Sequence, residues 1–273
     1  MLAWSYKKAE KFFENPSIPD ELKLRYIHSL GDTCETELLF ECKKPLKKIR
    51  RAIKKSTLIF VDGPSCSGKS TLVERLLDYI DATVVDSDKL ATIGYQNYQS
   101  SKAFCYDEVK TFEEIDQLTD DYVVEQIEGI ISEASQEKNK PVILVGSYVN
   151  MISRAIVVNA LGKYFENIIS LFCFEPDTQK FTEAANKRAG IMSKEFNRNS
   201  NNPLYLLMFQ QYDAFIRTVR FDPIYLGRGV NYSFILNYSS IQKIKWDFLA
   251  LDSWMLLKKA SDFIDKVIRL FIL

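Results

Sequence analysis

The sequence of 273 residues has little histidine and cysteine and no net charge. It contains one histidine and five cysteines, none of which forms a CxxC pair. A single histidine, His28, excludes histidine-rich metal sites and argues against a histidine-dependent catalytic triad, so that acid–base chemistry is expected from carboxylates. An odd number of scattered cysteines argues against a disulfide framework and favours a reducing, cytoplasmic compartment.

Long apolar runs are also absent. No stretch reaches the roughly 18 apolar residues of a membrane span, and the first residues lack the apolar core of a signal peptide. We therefore expect no membrane span. Hydrophobic residues make up 47% and charged residues 26%, which is ordinary globular usage and excludes a disordered or collagen-like chain.

The zero net charge hides two segments of opposite sign. Residues 43–55 carry eight positive charges and no negative one, whereas residues 107–128 carry nine acidic side chains and one lysine. In the basic segment Leu46, Ile49 and Ile53 form one apolar stripe of a helix. Three interpretations stay open: a solvated helix packed by its stripe, a surface for nucleic acid, acidic lipid or another acidic partner, or two segments that face each other.

From residue 57 onward, short apolar runs alternate with segments of helical periodicity. The runs predict strands at 57–62, 82–86, 141–146, 168–174 and 232–237, and the periodic segments predict helices at 70–80, 119–134, 177–220 and 247–270. This alternation predicts a three-layer α/β domain with a parallel five-stranded sheet at 56–273. Residues 1–55 are predicted to form a helical N-terminal extension, including a helical segment at 36–42.

The segment GPSCSGKS at 63–70 fits the phosphate-loop (P-loop) pattern GxxxxGK[ST]. It lies between a strand that ends at Asp62 and a helix that begins near Lys69. In such loops the backbone N–H groups surround phosphate, so ATP and Mg²⁺ are the expected ligands. We expect Lys69 to bridge the outer phosphates and Ser70 to bind Mg²⁺. The predicted nucleotide-binding residues are Gly63, Pro64, Ser65, Cys66, Ser67, Gly68, Lys69, Ser70 and Thr71.

Two carboxylates, Asp86 and Asp88, follow the second predicted strand at the edge where the P-loop lies. Either one is a candidate to accept a proton from a substrate hydroxyl, and Asp86 is also a candidate to hold the metal through water. The alternative is a turn that caps the next helix. The third strand is followed by Gly146 and Ser147 rather than by an acidic residue, which argues against GTPases, motors and AAA-type ATPases.

The segments GPSCSGKST (63–71) and DSD (86–88) resemble those of the small P-loop kinases, which include nucleoside, nucleotide, shikimate and antibiotic kinases and toxin-like kinases. The resemblance implies a P-loop NTPase fold and transfer of the ATP γ-phosphate to a small acceptor, such as a nucleoside, nucleotide or other hydroxyl compound. It also implies a basic lid between the fourth and fifth strands, with Arg188 and Arg198 as the clamps of the transferring group. The other lid candidates are Lys187, Lys194, Arg217 and Arg220.

Two alternatives remain. The same P-loop and residues 86–90 resemble isopentenyltransferases, which act on tRNA or adenylate, but the glycine-threonine-glycine turn and the downstream histidine pair of those enzymes are missing. A non-catalytic nucleotide-binding module with 43–55 as its interaction surface is the second alternative. We expect loops at 89–118 and 147–165 to form the acceptor pocket. Their sequences do not identify the acceptor.

Overall fold

A parallel sheet organises the part of the chain that the computed structural model describes. That part comprises residues 15–19, 21–22, 34–40, 42–102, 125–137, 140–147, 161–195, 209, 212–213 and 229–244. Its six strands are β1 (Thr36–Leu38), β2 (Thr57–Asp62), β3 (Thr83–Asp86), β4 (Val142–Val145), β5 (Asn167–Cys173) and β6 (Tyr232–Leu236). The strand order is β1-β6-β5-β2-β4-β3, and every neighbouring pair is parallel.

Helices connect the strands. They are α1 (Pro45–Ala52), α2 (Lys69–Leu77), α3 (Ser87–Lys102) and α4 (Thr178–Glu195), and residues 125–134 and 238–244 are helical as well. No described helix has the length and apolar character that a bilayer crossing demands.

The middle strand, β2, is buried along its whole length. Its side chains alternate between the two sides of the sheet, as a strand requires. Ile59 and Val61 belong to a core that includes apolar residues of α1 and α2, whereas Leu58 and Phe60 belong to a second core with Ile127. Helices therefore cover both faces of the sheet, and the predicted α/β class is confirmed.

The number of strands and the character of the N-terminal segment differ from the prediction. Residues 36–38, predicted to be helical, form β1, and the sheet has six strands rather than five. The reason is tertiary pairing: β1 lies parallel to β6, and the N–H of Leu39 donates to the carbonyl of Ile235. Such pairing overrides the local helical pattern. The domain boundary between residues 55 and 56 stays a prediction.

The segment after β3 also differs from the prediction. Residues 89–118 were expected to form a loop, but α3 begins directly after Asp86 and continues to Lys102. Several predictions lie outside the described residues, namely His28, the helix at 247–270, the loop at 148–160 and the acidic segment up to residue 124.

The apolar stripe of α1 gives a test of whether this helix belongs to the core. Ile49 is fully buried, whereas Lys47 is exposed. We expect Ile49→Ala to lower the free energy of unfolding by about 2–5 kcal/mol, because it leaves a cavity. Lys47→Ala should change it by less than about 0.5 kcal/mol. Urea denaturation followed by circular dichroism measures both, and equal small effects would contradict the packing of α1.

Candidate functional site

The P-loop joins the end of β2 to the start of α2. Two of its glycines have positive φ angles, 140° at Gly63 and 96° at Gly68. A Cβ atom on Gly63 would lie 2.2 Å from the carbonyl oxygen of Cys173 in β5. Both the backbone angle and the space therefore require glycine at residue 63. Cys66 also has a positive φ, at 67°, so the loop curls tightly before α2 begins.

The ammonium group of Lys69 lies inside this loop. Its Nζ atom donates to the carbonyl oxygens of Gly63 at 2.8 Å and Pro64 at 3.0 Å. It also lies 2.8 Å from the hydroxyl of Ser147, which follows β4. Lys69 is only 7% exposed. A single positive charge is thus held where the loop, α2 and the end of β4 meet.

The loop fits a phosphate group. The first N–H groups of α2 have no partner within a helix, and the helix dipole places positive potential at the same end. Lys69 adds a full positive charge. The side chains of Ser70 and Thr71 are exposed in the first turn, so a hydroxyl is available to a ligand there.

The surroundings also fit Mg²⁺ bound mainly by phosphate and water. In the described ranges no group of three or more His, Cys, Asp or Glu side chains is arranged to hold a metal ion. Mg²⁺ does not need such a group, because it keeps several waters and binds through one or two protein oxygens together with substrate phosphates. Ser70 is the residue of the loop that would hold it.

The thiols of Cys66 and Cys173, which lie near the loop, are unreactive. Burial raises the pKa of the Cys66 thiol, and the charges of Arg188 and Lys69 offset only part of that rise. Burial likewise raises the pKa of Cys173 to about 12. Both groups therefore stay protonated near neutral pH, and neither is a nucleophile in this state.

Asp86 caps α3. Its Oδ1 atom accepts hydrogen bonds from the N–H groups of Asp88 at 3.1 Å and Lys89 at 3.2 Å, and its Oδ2 atom lies 3.7 Å from the Lys89 ammonium. This is the turn that the sequence left open as an alternative. One carboxylate oxygen of Asp86 is thereby committed to the start of the helix, and its catalytic and metal-binding roles stay predictions.

Asp88 has a different environment. In the ranges that the structure describes, its carboxylate takes part in no hydrogen bond or ion pair. Although Asp88 is exposed at the surface, partial removal of its carboxylate from water raises its pKa, the charge of Lys69 opposes that rise, and the charge of Asp86 adds to it. Asp88 is therefore electrostatically coupled to the P-loop lysine while its oxygens remain available.

Arg188 lies in α4. Its side chain is exposed, and its positive charge acts on the pKa of both Cys66 and Asp88. The neighbouring Lys187 is exposed as well. The side chain of Lys194 and the residues Arg198, Arg217 and Arg220 lie outside the described part of the chain, so the lid role of all these cations stays a prediction.

Three residues to which the sequence assigned no role at the site support the loop. The hydroxyl of Tyr238 donates to the carbonyl of Cys66, and its ring lies 3.4 Å from where a Cβ of Gly68 would be. The buried carboxylate of Glu175 accepts hydrogen bonds from the N–H groups of Tyr238 at 3.0 Å and Asp177 at 3.1 Å. Ser147 is the third. All three follow parallel strands, which is the one sequence signal that could have found them.

Comparisons with known proteins agree with a P-loop domain. A family model described as the AAA domain matches residues 58–202, just over half of the chain. No curated protein matches the chain. The family match and the loop at residues 63–70 together support the predicted P-loop domain.

Three solved structures are similar at low identity. One, from a study of the PezAT chromosomal toxin-antitoxin system of Streptococcus pneumoniae, is 11% identical, covers 65% of this chain and 72% of its own, and has a TM-score of 0.38. Shikimate kinase from Acinetobacter baumannii in complex with shikimate is 14% identical. The match covers 75% of this chain and 97% of the kinase, with a TM-score of 0.35. TT1252 from Thermus thermophilus is 15% identical. The match covers 73% of this chain and 98% of TT1252, with a TM-score of 0.34.

The family description contradicts one expectation. The absence of an acidic residue after β4 argued against AAA-type ATPases, yet the matching family is described as an AAA domain. The absence itself is real, because β4 is followed by Gly146 and Ser147. The inference was wrong because one position at a strand end is a weak discriminator beside the P-loop and the strand–helix pattern.

The contact at Gly63 yields a test with a matched control. We expect Gly63→Ala to destabilise the protein and to remove nucleotide binding, because the new Cβ meets a carbonyl and the positive φ strains alanine by about 1–3 kcal/mol. Gly129→Ala adds a Cβ with nothing within 4 Å on an exposed helical face, so stability should stay or rise slightly. Thermal denaturation and calorimetric titration with Mg-ATP report both effects. Unchanged binding in Gly63→Ala would contradict this account of the loop.

Proposed function

The chain belongs to the AAA domain family, and from that premise we propose that it is an ATP-dependent phosphotransferase. It has a P-loop fold of the nucleotide-binding type. The proposed reaction moves the γ-phosphate of ATP to a hydroxyl or phosphate of a small acceptor. The observation that carries the proposal is the Lys69 ammonium held inside the P-loop, whose charge, together with that of Arg188, acts on the pKa of the Asp88 carboxylate.

The P-loop holds the nucleotide in this proposal. The N–H groups of the loop and of the first turn of α2 bind phosphate oxygens. The Lys69 ammonium gives up its hydrogen bonds to the carbonyls of Gly63 and Pro64 and donates to the outer phosphates instead. Ser147 keeps the lysine directed toward the loop. When bound through Ser70, Mg²⁺ supplies neutralisation of the phosphate charge, which is the main requirement of phosphoryl transfer.

Asp88 accepts the proton of the acceptor hydroxyl. A base for this step needs an unengaged oxygen and a pKa closer to neutral than that of an ordinary aspartate. Asp88 meets both requirements, since its oxygens have no partner in the described ranges and desolvation raises its pKa. Asp86 serves it indirectly, because it caps the helix on which Asp88 lies.

Arg188 stabilises the charge of the transferring group. A guanidinium that closes over the phosphates neutralises charge and excludes water. The start of α4 is tied to Tyr238 through the Glu175 carboxylate, so α4 is anchored on the residue that also holds the P-loop. Arg198 is proposed as a second clamp from the sequence alone.

The first test is binding and turnover of ATP. Wild-type protein should bind Mg-ATP and transfer or slowly hydrolyse its γ-phosphate, and Lys69→Ala should lose at least about 100-fold in turnover because a phosphate contact and its charge are removed. Lys140→Ala is the matched control, since in the described part of the chain this lysine pairs with the exposed Asp81 and with no other carboxylate. Calorimetry and a coupled assay with nucleosides, nucleotides, sugars and polynucleotide ends as acceptors supply the measurements.

Two outcomes would overturn the proposal. One is a wild-type protein without affinity for Mg-ATP. The other is affinity for dimethylallyl diphosphate without affinity for ATP, which would assign the P-loop to prenyl transfer instead.

The second test concerns Asp88. We expect Asp88→Asn to lower kcat by about 10²–10⁴-fold and to leave the Kd for Mg-ATP nearly unchanged, because the amide cannot accept the proton. Asp81→Asn should behave like wild type. The rate should fall as the pH decreases through the pKa of Asp88, at a pH above the ordinary aspartate value of 3.8, since protonated Asp88 is inactive. If the rate of the Asp88→Asn variant falls at low pH in the same way as that of the wild type, Asp88 is not the base.

A further inference from the structure

We propose that the outer face of α1 and its flanking residues is a docking surface for nucleic acid, which it recognises through the sugar–phosphate backbone. This basic face consists of Lys43, Lys44, Lys47, Lys48, Arg50, Arg51, Lys54 and Lys55. The proposal does not depend on the phosphotransferase reaction.

The inner side of α1 packs against the hydrophobic core. Pro45, Leu46, Ile49 and Ala52 are buried, so the predicted apolar stripe is confirmed at Leu46 and Ile49. All eight cations are exposed. The helix is therefore fixed on the sheet with its charges directed outward. It presents no apolar side chain for insertion into a lipid surface, which is what an interfacial membrane helix needs.

Most of this charge is uncompensated in the described part of the chain. Lys48 pairs with Glu37, and Lys54 lies 5.5 Å from the centre of the Tyr232 ring. In the same described ranges the other six cations have no carboxylate partner. Arg50 and Arg51 also lie in the last turn of the helix, where positive charge is favoured by the helix dipole. The result is a local concentration of positive charge on a neutral protein.

The density of this charge matches a nucleic acid. The cations occur as four doublets, at 43–44, 47–48, 50–51 and 54–55, so that neighbouring doublets are three or four residues apart. The doublets 47–48 and 50–51 lie on α1 itself, whose eight residues rise by about 12 Å, which corresponds to roughly one positive charge per 3 Å of helix. A nucleic acid carries one negative charge per about 1.7 Å of duplex, or per about 3.4 Å of one strand.

The topology separates this face from the P-loop. Because β1 and β2 lie in one parallel sheet, α1 must return from the carboxyl end of β1 to the amino end of β2. The basic face therefore starts at the sheet edge that bears the P-loop and leads away to the opposite edge. A bound strand contacts α1 without occupying the loop around Lys69.

The test is fluorescence anisotropy of the full chain with a labelled 20-nucleotide single strand and a 20-base-pair duplex between 50 and 200 mM salt. With six to eight phosphates neutralised, log K should fall against log salt with a slope of about −4 to −7. Saturating Mg-ATP should not compete. The triple variant Lys47→Glu, Arg50→Glu, Arg51→Glu should lose at least about tenfold in affinity and flatten the slope by about 2–3.

Two further variants make the result specific. Lys47→Arg, Arg50→Lys, Arg51→Lys keeps the charge and should bind like wild type. Lys140→Glu, Lys163→Glu, Lys180→Glu reverses three cations away from α1, each paired with an acidic residue, and should also keep affinity. Thermal denaturation verifies that each variant is folded.

Three results would overturn the proposal. The first is the absence of oligonucleotide binding at 50 mM salt. The second is an equal loss of affinity in the two charge-reversal variants. The third is binding to phosphatidylserine vesicles without binding to oligonucleotide, which would assign the face to a membrane.

Discussion

The close approach of two backbones, at Gly63 and Cys173, is the constraint on which the candidate site depends. The P-loop leaves β2 by turning across the end of β5, so near that a single Cβ would overlap a carbonyl oxygen. Because the loop passes this close, its carbonyl groups at Gly63 and Pro64 point to the Lys69 ammonium. The position of the lysine is thus a consequence of how tightly the loop lies on the sheet.

Strand order then decides which groups meet the lysine. With β2 in the middle, β4 and β5 are its direct neighbours and β3 is next to β4. Their carboxyl ends form one edge, which carries Ser147 from β4, Asp88 after β3 and Glu175 after β5. Residues far apart in the chain share the site because parallel strands bring their ends together.

The P-loop and the basic face of α1 use positive charge in different ways. At the P-loop, one buried ammonium is held by three oxygen atoms, an arrangement suited to a few phosphate oxygens at defined positions. On α1 and its flanking residues, eight exposed cations lie close together, an arrangement suited to many phosphates with little selectivity. A protein without net charge therefore carries two separate concentrations of positive charge of different character.

The sequence by itself determined the elements whose signals are local. The bounds of β2, the P-loop and the start of α2 agree closely with prediction, because apolar runs, glycines and the lysine lie within a few residues of one another. Tertiary structure decided the rest. Thr36 meets Ser233 across 197 positions of the chain, and such a partner turns an apparent helix into β1. Asp86 and Asp88 are equivalent in sequence, but the first N–H groups of α3 bind one and leave the other available. Tyr238 contacts Cys66 only because β6 ends beside the P-loop, a proximity that spacing along the chain does not contain.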